Sequence, residues 1–286
     1  MPFPLVARKN LKEKEPALAK YSKEIADLVG QEWEYQFDLD GFSNYLEGKT
    51  FSCYSKEAPG TFLYSQVMEA LRDALKQFLN GENPTFRKEA LLDAVSAKKV
   101  IITVDTDETN KYEYYRLRFD GGVMTILFKC PVNSPNSSHF KIIESLPGAG
   151  GYPFEVALEM TRLQPRFDNY LSNLSKATGQ TWSLMEPEVA LKLFQSFNAD
   201  HQKSFAGMYL DALEKTSGNI INRVKDEMVK EAFAEKVPNA TLTFVWKSTQ
   251  TNCDCIYEYV NGGLVVSLRY QGFCNVSRDY DFERDL

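Results

Sequence analysis

The stretch YSKEIADLVGQEW, Tyr21 to Trp33, returns as YLSNLSKATGQTW, Tyr170 to Trp182. Both lie 149 positions apart throughout, with Tyr21 on Tyr170, Gly30 on Gly179, Gln31 on Gln180 and Trp33 on Trp182. The apolar stripe Leu18, Tyr21, Ile25, Leu28 falls on Phe167, Tyr170, Leu174, Ala177, which is the spacing of one helix face. Gly30 and Gly179 stand where a left-handed residue ends that helix. Trp33, Tyr35 and Phe37 then alternate with Glu34, Gln36 and Asp38, the period of a half-buried strand.

The correspondence continues in order down the chain. At an offset of 142, Leu71, Asn80, Lys88-Glu89-Ala90 and Val100 match Leu213, Asn222, Lys230-Glu231-Ala232 and Leu242. At 141, Gly121-Gly122-Val123 matches Gly262-Gly263-Leu264. A collinear run of matches reads as an internal duplication. It divides the 286 residues into an N-terminal arm (1–16), a first copy (17–145), a linker (146–165) and a second copy with the C-terminal tail (166–286).

Within each copy, amphipathic helices follow the first strand. Leu63, Val67, Leu71, Ala74, Leu75 and Phe78 form one stripe that stops at Asn80-Gly81, and Pro84 suits the first turn of the next helix, to about Val95. In the second copy Phe205 to Val237 is helical, with Ser217-Gly218 as its one candidate break. Three strands close each copy, Val100–Val104, Tyr112–Phe119 and Val123–Phe128, then Thr241–Trp246, Ile256–Val260 and Leu264–Leu268. Asp120-Gly121-Gly122 and Asn261-Gly262-Gly263 are hairpin turns. The predicted fold is α+β, a tandem pseudo-twofold repeat, each copy a four-stranded, mainly antiparallel sheet with helices on one face.

Composition narrows the function. Net charge is −6, so a general nucleic-acid binder is disfavoured. No apolar run reaches the ~20 residues of a membrane span, and the opening MPFPLVARK has no signal-peptide core. Five cysteines (Cys53, Cys130, Cys253, Cys255, Cys274) lack the spacing of a disulfide framework. The expectation is reduced thiols in the cytoplasm or another reducing compartment, an organelle interior being open if a targeting peptide was removed.

Motifs for chemistry are sparse. The two histidines, His139 and His201, occupy non-equivalent places without a nucleophile and carboxylate nearby in sequence. Gly48-Lys49-Thr50 lacks the earlier glycine of a phosphate loop, and Gly148-Ala149-Gly150-Gly151 lacks the third glycine of a dinucleotide fingerprint. Cys253-Asp254-Cys255 lacks zinc spacing, and Asp105-Thr106-Asp107-Glu108 reads as a solvated turn rather than a calcium loop. Neither a metal nor a cofactor is expected.

Gly30, Gln31, Trp33, Gly179, Gln180 and Trp182 are therefore expected to be structural anchors of the two copies. Asp279, Tyr280, Asp281, Phe282 and Glu283 in the tail, with Phe3 and Leu5 in the arm, are the candidate contacts of an assembly. The leading expectation is a non-catalytic structural protein that self-associates into homo-oligomers, sheets or filaments. The alternative is a small-molecule binder or enzyme with a pocket between helices and sheet, drawing on Glu34, Tyr115, Cys130, His139 or Tyr257.

Overall fold

A computed structural model describes residues 3–46, 57–107, 115–129, 135–246 and 255–268. The chain forms two compact units, Met1–Pro147 and Gly148–Leu286.

The first unit opens with a 25-residue helix, α1 (Leu5–Val29), which runs straight through Pro16. Residues 5–16 of the stretch read as an arm are thus the first half of a helix. Strand β1 (Glu34–Phe37) and α2 (Leu39–Leu46) follow. The predicted stripe from Leu63 to Phe78 is then formed in two parts, a π-helical segment over Thr61–Val67 and α3 (Met68–Leu79). Next come α4 (Pro84–Ala94), β2 (Lys99–Val104), β3 (Tyr115–Asp120), β4 (Val123–Phe128) and the short α5 (Ile142–Ser145).

The second unit runs α6 (Phe154–Thr178), β5 (Ser183–Leu184), α7 (Pro187–Gln195), α8 (Ala199–Lys203), α9 (Phe205–Arg223), α10 (Glu227–Lys236), β6 (Thr241–Trp246), β7 (Cys255–Val260) and β8 (Gly263–Leu268). Helix α6 is also 25 residues long and contains Pro165, so the stretch read as a linker passes unbroken into the helix that ends at Thr178. Ser217 and Gly218 lie inside α9. The break comes instead after Arg223, where the side chain of Asp226 caps α10 by accepting from the N–H groups of Met228 and Val229.

Both sheets are mixed rather than mainly antiparallel, which corrects the expectation. Their orders are β1-β2-β4-β3 and β5-β6-β8-β7. β1–β2 and β2–β4 are parallel, and only β3–β4 is antiparallel. The second unit repeats those senses. The reason lies in the connections. A run of helices between β1 and β2 is long enough to return the chain to the same end of the sheet, as parallel pairing requires. The hairpin then inserts its second strand, β4, beside β2, leaving β3 outermost. The Gly-Gly turns identify that hairpin correctly but carry no information about the other two pairings.

Helices cover one face of each sheet. In the first unit Ile25, Val29, Val67, Leu71 and Leu75 are buried with Val100, Ile102, Met124 and Ile126. In the second, Phe167, Leu174, Tyr209, Leu213 and Phe233 share one core with Leu242, Phe244, Leu264 and Val266. Tyr209 meets Phe244 edge-on at 5.6 Å. Burial holds its phenol above the ordinary range, and Tyr152 adds to the shift. A raised phenol pKa favours the neutral form in the folded state. Its stabilisation is therefore complete below about pH 10, where unfolded tyrosine is neutral, and is lost as pH rises further. Tyr209→Phe should flatten the alkaline limb of a stability-against-pH curve measured by urea unfolding. An unchanged limb would remove Tyr209 as its source.

Candidate functional site

The turn after each long helix carries the predicted anchors. Gly30 (φ 83°) and Gly179 (φ 75°) are left-handed and donate their N–H groups to Ala26 O and Ser175 O. Trp33 and Trp182 are both buried. What surrounds them differs.

In the second unit two hydroxyls one turn apart on α6 hold the tryptophan. Thr178 Oγ1 donates to Leu174 O at 2.9 Å and accepts the indole N–H of Trp182 at 2.8 Å. Ser175 Oγ donates to Leu171 O and accepts the backbone N–H of Trp182 at 3.0 Å. The ring stacks on Phe233, with centroids 5.8 Å apart. Gln180 Nε2 donates to Val237 O, tying the turn to the end of α10.

In the first unit the residues 149 positions earlier are Ala26 and Val29, with no hydroxyl between them. The indole N–H of Trp33 accordingly finds no acceptor among the described residues, and neither does the hydroxyl of Tyr35 find a partner. Beside Trp33 lies a cleft of about 450 Å³ lined by Ala19, Ser22, Lys23, Ala26, Asp27, Glu32 and Trp33. Sequence reading found the tryptophans but not this asymmetry. The signal was present in the helix, as Ser175 and Thr178 against Ala26 and Val29.

The contrast is testable. Thr178→Val should cost about 1–3 kcal/mol, because it leaves the indole N–H of Trp182 buried and unpaired. The reciprocal Val29→Thr should cost less than an ordinary buried valine-to-threonine change, since the new hydroxyl gains a partner. Equal costs in chemical denaturation would contradict the assignment.

The polar candidates are spent locally. Arg116 bridges Asp105 and Asp107, each at 3.2 Å, and the Asp105 side chain is only 3% exposed. The turn read as solvated is thus anchored at its start. His139 stacks on Tyr115 at 5.2 Å and interacts with Asn136, while His201 pairs with Asn198. Tyr257 is buried and its hydroxyl accepts from Asn219 at 3.4 Å. Glu34 begins β1, and its N–H donates to Lys98 O. Among the described residues no three acidic, histidine or cysteine side chains group to hold a metal. Phe3 is buried with its ring 6.3 Å from Phe42, whereas Leu5 is exposed. Gln31 is half-buried in the turn. Cys53, Cys130, Cys253 and Cys274 lie outside the described residues, as do Asp279, Tyr280, Asp281, Phe282 and Glu283; Cys255 begins β7.

The faces of the sheets opposite the helices complete the picture. Strand alternation places Thr241, Thr243 and Val245 of β6, Val265 and Ser267 of β8, and Ile256, Glu258 and Val260 of β7 on one such face. The apolar members stand outside the unit's core. Thr243, Val245, Ile256 and Val265 are half-buried and Val260 is 45% exposed. Glu258 is the single charge on these three strands, and it accepts a hydrogen bond from Ser267. The same positions of the first unit carry Lys99, Arg116, Arg118 and Asp120. No helix among the described residues is long and apolar enough to cross a membrane. Comparison with known protein families, with curated proteins and with solved structures returns no match for this chain.

Proposed function

We propose that this is a non-catalytic structural protein that self-associates, and that copies meet through the open sheet face of the second unit. The observation that carries the reading is the composition of that face. It is largely β-branched, with Val260 exposed, Ser267 buried and one charge already hydrogen-bonded. Such a face is suited to packing against another sheet in aligned fashion. Three strands of six residues offer about 300 Å² of face, well below the roughly 800 Å² per partner of a stable standard interface. One contact of this size is weak, so assembly needs a second.

The duplication supplies it. We read residues 17–145 and 166–286 as diverged copies of one module, supported by the shared strand order and the shared left-handed glycines. A chain with two related faces can bind a neighbour at each, and contacts that do not close extend into sheets or filaments. Lys99 and Arg118 on the first unit's face complement Glu258 on the second's, which favours head-to-tail contact. The acidic balance of the whole chain favours a protein partner over nucleic acid. The test is the mass of the intact chain in solution across a concentration series.

A further inference from the structure

We infer that the cleft between α1 and Trp33 binds a small zwitterion with an apolar side chain, of the free amino-acid class. Its volume, about 450 Å³, lies within the range of small-molecule sites. The cleft exists because of side-chain size. Ser22 and Ala26 stand where the second unit has Leu171 and Ser175, and Leu171 packs against its unit's core. The first unit leaves that volume open.

The groups around it fit a molecule carrying both charges. Ala19, Ala26 and the indole of Trp33 form an apolar wall. Lys23 offers an ammonium, and Asp27 and Glu32 offer carboxylates. None of these three charges forms an ion pair among the described residues, although other charges of α1 do, as in Lys20–Glu24 and Arg72–Glu24. Lys23 and Asp27 are four apart on α1, on one side of the helix, yet remain unpaired. A carboxylate meets Lys23, an ammonium meets Asp27 and Glu32, and an apolar side chain covers Trp33.

The test titrates the intact protein by calorimetry with each standard amino acid up to about 10 mM, with the N-acetyl amide of any that binds as the comparison. At least one apolar amino acid should bind, and its capped form should bind about tenfold or more weakly, because both charges are gone. The variant Ser22→Leu/Ala26→Ser, which imports the second unit's residues, should lose binding while keeping the wild-type circular dichroism and unfolding midpoint. If that variant misfolds, Lys23→Met, at an exposed position, should weaken binding in its place. No binding by any amino acid would overturn the proposal. So would equal binding of the capped form, or binding unchanged in the folded variants.

Discussion

Trp182→Ala is expected to destabilise the second unit by about 3–5 kcal/mol. The ring fills the space between α6 and α10, stacked on Phe233, and its removal leaves a cavity. It also strips Thr178 and the turn of their partner. Trp33→Ala should fall in the same range, since Trp33 is buried to a similar degree. The conservative substitutions separate the two sites. Trp182→Phe removes a hydrogen bond that exists; Trp33→Phe removes an N–H that has no acceptor among the described residues. The first should therefore cost about 1 kcal/mol more than the second. Denaturant unfolding of the single variants, followed by circular dichroism, measures both. Equal costs for the two phenylalanine variants would contradict the description of the turns.

Val265→Glu is expected to weaken self-association by about 2–4 kcal/mol, on the order of thirty- to a thousandfold in the dissociation constant. Val265 sits at the middle of the open face, paired to Thr243 on one side and Glu258 on the other. A second carboxylate beside Glu258 makes the face strongly acidic, and desolvating it against another sheet becomes unfavourable. Within the folded unit the like-charge pair costs only about 0.2–1 kcal/mol, so the fold survives. Met228→Glu is the control: Met228 is 81% exposed on α10, away from the sheet, and its change should leave association as it was. An unchanged dissociation constant in Val265→Glu would remove this face as the interface.

Much of the architecture was legible because it rests on local periodicity. The stripe of Tyr21 and Ile25, the stop at Gly30 and the alternation from Trp33 to Phe37 each specify a local conformation without help from elsewhere. The hairpin turns at Gly121-Gly122 and Asn261-Gly262 did the same. Parallel pairing was not legible. The partner of β1 is β2, more than sixty positions away, and alternation says which face is buried but not which strand is adjacent. The full lengths of the two long helices were missed for a different reason. Pro16 and Pro165 look like boundaries, yet each is carried inside a 25-residue helix. In α9 the pair Ser217-Gly218 is tolerated because Ser217 donates to Leu213 O and is buried against the core.

The candidate sites divide in the same way. The burial of Trp33 and Trp182 was legible in the motif, since aromatic residues after a helix-ending glycine have few alternatives to burial. The cleft beside Trp33 was not, because its cause is an absence of bulk at Ser22 and Ala26. The open sheet face depends on knowing that β6 lies beside β8, and no sequence period contains that pairing.

Self-association is tested most directly by sedimentation velocity of the intact chain from low micromolar to high micromolar concentration. The expected result is a weight-average mass that climbs well above the 32.6 kDa of one chain as concentration rises, without a plateau at a dimer. A mass that stays at one chain throughout the range would contradict it.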